Sequence, residues 1–406
     1  MISPQAISEF MAGKTPAMLD KLGRLVQIET WSNDKDGVDR AGRFMAAELE
    51  RLGFAIERCQ QDHIGDQIIA RRCFGGQGRL LILGHLDTVW HTGTLATWPF
   101  EITPAGFALG PGVGDMKGGL IVALTAVEGL VACGCCPLES ITFLLITDEE
   151  IGSPNSRDLI EAEASRADWV LVMEPGRENG GVVTSRAVLG KFHLQAQGIS
   201  AHCGVDFERG ASAVRELAGK VEALEMLAVP EKEILVNVGI FRGGEARQVI
   251  PAFAEMHIDF RAPNQAEGDR LIARIRKIAL SARNDKVKIS LSGGQTRPEF
   301  PRSPGTLHLY RTAAAIAADM GMPLPEVHTR GGSDGSFTAA LGVPTLDGLG
   351  PISLDDCSRN ERVVIDSLVP RAELMARLIA QIGDAAMQSG GTASGPAGDA
   401  REKESR

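Results

Sequence analysis

Three short apolar runs, each ending in a polar cluster, constrain this 406-residue chain more than any other feature. Leu80-Leu81-Ile82-Leu83 runs into Gly84-His85-Leu86-Asp87-Thr88-Val89. Ile141-Thr142-Phe143-Leu144-Leu145-Ile146 runs into Thr147-Asp148-Glu149-Glu150-Ile151-Gly152. Trp169-Val170-Leu171-Val172-Met173 runs into Glu174-Pro175-Gly176. Short continuous runs rich in Leu and β-branched residues suit strands covered on both faces. Residues 38–52 and 118–132 carry helical spacing between them. Strands alternating with helices predict an α/β fold, a mainly parallel sheet flanked by helices. Ligands of such sheets bind beyond the carboxyl ends of the strands. One rim is therefore expected to hold His85, Asp87, Asp148, Glu149, Glu150 and Glu174. The segment Gly110 to Gly119 adds Asp115 on a glycine-rich loop that opens a helix.

Two ordinary readings compete with a functional rim. A glycine-rich loop before a helix is a frequent phosphate site. Here Asp115 occupies the place of the phosphate, and no Gly-Lys-Ser/Thr follows. Acidic residues at strand ends also serve as helix N-caps. That explains one such residue better than a histidine with several carboxylates. Gathered carboxylates repel one another unless a cation neutralises them, so the pattern points to a metal site.

The texture changes near Gly190. Residues 191–196 alternate, a helix follows over 211–227, and alternating strands lie around 233–241 and 253–261. A helix near 266–283 and a strand at 286–292 complete the order β-α-β-β-α-β, the ferredoxin-like pattern. The reading is a catalytic domain in two parts, 1–188 and 297–388, with an inserted α+β domain over 189–296. A last helix spans about 367–387. The tail 389–406, rich in Gly, Ser, Ala and charge, is expected to be disordered.

Composition excludes some partners. Net charge is −10 and aromatics make up 5 %, which disfavours nucleic acid. The apolar stretch 119–133 is too short to span a bilayer. The start Met1-Ile2-Ser3-Pro4 shows no signal-peptide pattern, and seven cysteines form no disulfide framework. A cytoplasmic protein with reduced thiols is expected.

The strings GHLDTV, GPGVGDMKGG, TDEEIGSPNSR, MEPG, GISAHCGVD and GGSDGSFTAALGVPTLDGLGP resemble the M20 metallopeptidases and deacylases, in texture the glutamate carboxypeptidase branch. The resemblance is collinear from about residue 15 to 388. It implies that the inserted domain serves as lid and dimerisation domain, and that His85 and Glu174 hold one divalent ion, zinc or manganese. Asp115 would bridge to a second ion, which Glu150 also binds. Glu149 would be the general base, and Asp87 would orient His85 through its other nitrogen.

The last ligand departs from the family pattern. Cys357 stands where a histidine is expected after Gly348-Leu349-Gly350-Pro351, and no histidine follows it. Three readings remain: Cys357 binds as thiolate, Asp355 or Asp356 substitutes, or the site works with one ion. The ordinary reading of Cys357 is a small half-buried residue.

From the inserted domain, the resemblance implies that His202 stabilises the oxyanion in a neighbouring subunit. Arg261 would clamp a substrate carboxylate. Gln248, where relatives often carry Asn, would shape the pocket. Gly332 and Ser333 would face substrate, with Asp334 as a helix N-cap. Arg330 and Arg186 are weaker carboxylate-binding candidates, and Cys203 a bystander.

The expected activity is hydrolysis of an amide or peptide C–N bond in a small carboxylated substrate. The resemblance admits a second chemistry, because the family includes the 5-nitroanthranilate aminohydrolase type, a hydrolytic deaminase of aromatic amines that a one-ion site would suit. A non-catalytic carboxylate-binding protein is a third reading. The exposed edge of the inserted sheet needs a partner, so a homodimer is expected.

Overall fold

The computed structural model describes residues 4–134 and 136–390; the tail from residue 391 lies outside the described residues. A six-stranded sheet forms the centre. Its order is Ala55–Cys59, Gln67–Cys73, Ser140–Ile146, Arg79–His85, Trp169–Val172 and Thr345–Leu346. The last four are mutually parallel, and the first two form an antiparallel hairpin on one edge.

The three runs are continuously apolar because both faces of the sheet are covered. Leu80 and Ile82 point into a core shared with helices Gly119–Ala132 and Leu368–Gly390. Leu81 and Leu83 point the other way, toward Ile160, Ala164 and Phe337. Helix Gly119–Ala132 is buried over nearly its whole circumference, so it shows no amphipathic stripe. Its first residue has to be glycine, since a Cβ at Gly119 would meet the Met173 carbonyl oxygen at 1.9 Å. Among the described residues no helix is long and apolar enough to cross a membrane.

The second sheet has the order Leu235–Gly243, Phe253–Ala262, Val188–Gln197, Lys288–Arg297, all antiparallel. With helices Ala213–Glu225 and Gln265–Leu280 on one face, this is the ferredoxin-like arrangement. It has its own core, including Phe192, Leu194, Met256, Ile258 and Phe260.

One strand differs from expectation. The run expected to end at 292 continues to Arg297. Gly293 and Gly294 read as a terminator in sequence. Both have positive φ, 98° and 156°, and stay in register opposite Phe192 and Lys191. A Cβ on Gly293 would lie 2.2 Å from the Lys191 carbonyl oxygen, so these glycines mark close backbone approach instead of a strand end. The extra residues carry Arg297 to the rim of the other sheet.

Candidate metal centre

The parallel strands deliver their carboxyl-end residues to one place. His85 ends its strand fully buried, with Nε2 3.1 Å from Asp115 Oδ1 and 3.9 Å from Glu174 Oε1. Its Nδ1 lies 2.9 Å from the Asp87 carbonyl oxygen. That contact assigns Nδ1 as the donor and turns Nε2 toward the carboxylates. Ligand atoms of His85, Asp115 and Glu150 lie within 4.8 Å of one another.

Asp87 acts on the imidazole through its backbone and its side chain. Its carboxylate stands 3.5 Å from Nδ1. It accepts from the Ser32 hydroxyl at 2.7 Å and from the N–H groups of Glu149 and Glu150 at 3.2 Å each. Asp87 thereby ties two strand ends together. Asp148 does not join the cluster; it accepts from Asn155 N at 2.8 Å and from the Ser156 hydroxyl, closing the following turn.

The two adjacent glutamates diverge. Glu150 is deep in the cluster, and its Oε1 has no hydrogen-bond partner. Burial, then the Asp115 charge, pushes its carboxyl well above the ordinary range, and the same causes act on Glu174. His85 is shifted upward too: burial opposes its protonation, but Asp115 and Asp87 outweigh burial. Glu149 turns elsewhere and receives Arg297 Nη2 at 2.9 Å. A buried oxygen without a partner, among carboxylates whose charged forms burial and mutual repulsion disfavour, is the condition a cation relieves. His, Asp and Glu donors at this spacing fit a divalent ion.

Cys357 meets this cluster from the far side. Its Sγ is 3.5 Å from Asp115 Oδ2, the oxygen not facing His85. Burial and the charges of Asp115 and Glu150 push the thiol upward. Asp355 pairs instead with Arg362, and Asp356 receives the Ser353 hydroxyl. Of the three candidates for the last ligand, the thiol is the one in contact with Asp115.

Two residues at the site had no signal in the sequence. Glu361 is fully buried and accepts from Gly114 N at 2.9 Å and Asp115 N at 3.1 Å, with Trp90 Nε1 at 3.2 Å on its other oxygen. Burial pushes its carboxyl up to about 7. It holds the loop on which Asp115 sits, where the Asp115–Met116 peptide is cis. Arg297 touches Glu149, the Ser153 hydroxyl at 2.9 Å and Asp334 at 2.9 Å.

Asp334 therefore departs from its expected role. It stands at the start of helix Gly335–Ala340, yet its side chain makes no capping hydrogen bond and binds Arg297 and Ser153. Ser333 is fully buried, and its hydroxyl accepts from Gly335 N, closing the turn. Gly332 is exposed beside Leu189 and Arg297. Arg186 is buried, paired with Asp347 at 2.8 Å and bound to the Gly332 carbonyl at 2.7 Å. Arg261 is partly exposed, and its guanidinium reaches the Arg330 carbonyl.

His202 lies on a small ribbon, Ala201–His202 paired with Val249–Ile250, and Gln248 immediately precedes its second strand. Cys203 N donates to the Gln248 carbonyl at 2.9 Å. Among the described residues neither His202 nor Gln248 bonds to the His85 cluster.

Residues 81–381 match peptidase family M20/M25/M40. The chain is 33 % identical over 374 residues to carboxypeptidase G2 of Pseudomonas sp. (strain RS-16), covering 91 % of this chain and 90 % of that protein. It is 29 % identical to the succinyl-diaminopimelate desuccinylase of Alkalilimnicola ehrlichii, over 79 % of this chain and 88 % of the relative. A tripeptidase structure from Staphylococcus aureus superposes with a TM-score of 0.75 at 19 % identity, over 91 % of this chain and 99 % of the other. A ferredoxin-like unit beside a metal-ready sheet rim, with these likenesses, places the chain: it belongs to peptidase family M20/M25/M40, whose members are divalent-metal-dependent hydrolases.

Proposed function

We propose that this protein hydrolyses the amide bond of a small N-acyl amino acid or dipeptide bearing a free carboxylate. The observation that carries the reading is the division between Glu149 and Glu150. Glu150 turns an unpartnered oxygen into the cluster, while Glu149 turns its carboxylate to Arg297. In the proposal His85, Asp115, Glu150, Glu174 and Cys357 hold the metal, zinc or manganese. When bound, the cation supplies electrophilic activation of the scissile carbonyl and of water.

The remaining steps belong to the chain's own groups. Glu149 takes the proton of the attacking water and passes it to the departing nitrogen. Arg297, 2.9 Å away, holds that carboxylate in place. Arg261 is the candidate for the substrate carboxylate, because a guanidinium matches a carboxylate fork and this one is partly exposed. Gln248 and Gly332 would shape the pocket. His202, which has no hydrogen bond to the cluster among the described residues, would serve the site of a neighbouring subunit, so the proposal includes a homodimer.

Asp115 presents Oδ1 to His85 and Oδ2 to Cys357, so it would hold metal together with both residues. The relatives' names, a carboxypeptidase and a desuccinylase, support cleavage of a C–N bond next to a carboxylate-bearing group.

The test is release of free amino acid from a panel of N-acyl amino acids and dipeptides, with and without chelator. Metal-dependent release, lost in Glu149→Gln, is expected. Ammonia release from aromatic amines with no amino-acid release would overturn the proposal.

A further inference from the structure

The lid sheet carries a second group of metal-ligating side chains, on the face opposite its helices. In Val188–Gln197 and Phe253–Ala262, burial alternates strictly. Even-numbered residues pack under the helices. Odd-numbered ones, among them Lys191, His193, Glu255, His257 and Arg261, face away. His193 and His257 are directly opposite each other across the two strands. Their rings stack with centroids 4.2 Å apart and planes 13° from parallel. Glu255, two residues before His257 on the same face, places Oε2 3.0 Å from His193 Nε2. One donor atom from each of the three residues falls within 4.8 Å of the others.

We propose that His193, Glu255 and His257 form a binding site for a divalent transition-metal ion, separate from the His85 rim. Three features support it. The register is fixed by ladder pairing on both sides of the central strands, so the imidazoles are held together without a loop that must be ordered. Two imidazoles and one carboxylate are a donor set that zinc accepts, and imidazole also suits copper and nickel. All three side chains are half-exposed, so an ion reaches them from solvent. Two rings in van der Waals contact repel if both are protonated, and Glu255 is close enough to offset one charge. A divalent ion would satisfy both ring nitrogens and the carboxylate together.

The site lies four residues along the strand from Arg261, roughly 13 Å at strand rise. It is therefore outside the proposed substrate clamp. Its ligands come from the lid alone, whereas the catalytic rim offers a single imidazole, His85, among the described residues. That difference makes the two sites separable by spectroscopy.

The experiment uses the chelator-treated full-length chain titrated with Cu²⁺ and, separately, Zn²⁺. Electron paramagnetic resonance of the copper form should show a centre with two imidazole nitrogens, lost in His193→Ala/His257→Ala. Zinc per subunit should fall by one equivalent in the same variant, with amide hydrolysis unchanged. Glu255→Gln, which preserves shape, should keep the two-nitrogen signature and weaken zinc binding at this site by about 10-fold or more. An unchanged zinc count in the double variant, or no two-imidazole centre in the native chain, overturns the proposal.

Discussion

Asp115 and Cys357 meet across the rim, with Sγ 3.5 Å from Oδ2, while the other oxygen of the same carboxylate faces His85 Nε2 at 3.1 Å. The cysteine in the place of an expected histidine is thus brought to the carboxylate that would bridge two ions. Cys357→Ser should reduce catalytic-site metal from two ions per subunit toward one, and Cys357→His should restore it. Elemental analysis against protein concentration measures this. Retention of both ions by the serine variant would exclude the thiol as a ligand.

Glu149→Gln removes the proposed base but leaves the buried donors in place. Turnover should fall by about 10²–10⁴-fold, the usual weight of general-base catalysis. Metal content and KM should stay close to native. A parallel loss of metal would show that Glu149 is a ligand instead.

Glu361 is the counter-intuitive target, since it sits behind the metal rim. Glu361→Ala leaves the N–H groups of Gly114 and Asp115 buried without an acceptor, at about 1–3 kcal/mol each. The freed loop should also weaken metal binding by about 10–100-fold, as loss of ligand-orienting partners does. Glu361→Gln keeps an acceptor for the loop and should be milder. Chemical denaturation and metal titration together check both parts.

Arg186 and Asp347 form a fully buried ion pair at 2.8 Å. Arg186→Ala should destabilise the chain by about 3–5 kcal/mol by stranding the aspartate. KM of the folded fraction should not change selectively. A large KM increase at native stability would revive Arg186 as a substrate clamp.

The apoprotein should lose stability as pH rises from 5.5 to 8. Glu150 and Glu174 are shifted well above their ordinary values, Glu361 and Asp334 to about 7, each by burial first. The folded state then holds protons that the unfolded state releases above about 4.5, so stability falls with rising pH. His85, also shifted up, acts in the same direction. A divalent ion displaces those protons, so its stabilising effect should grow over the same window. Thermal midpoints with and without chelator at the two ends give the sign, and a rising midpoint for the apoprotein would contradict it.

Much of this centre was legible in the chain itself. His85, Asp87, Glu149, Glu150 and Glu174 each stand at or just beyond the end of a buried strand, and strand ends of a parallel sheet share one rim whatever the loops do. The alternation that separates the faces of the second sheet is equally local. Arg297 was not legible, because Gly293-Gly294 resembles the end of its strand. Glu361 was not, because nothing around it differs from an ordinary surface turn.

The sequence by itself determined which residues stand at the strand ends, since a run of apolar residues and its polar terminus are set within a few positions. Tertiary structure decided what those residues do. Glu149 and Glu150 are neighbours of identical chemistry, separated only by what each faces. Cys357 reaches Asp115 across 242 positions, and Glu361 reaches the Asp115 loop across 246. Hydrogen bonds and ligand contacts act over a few ångströms, so partners this distant in the chain become partners only when the fold brings them together.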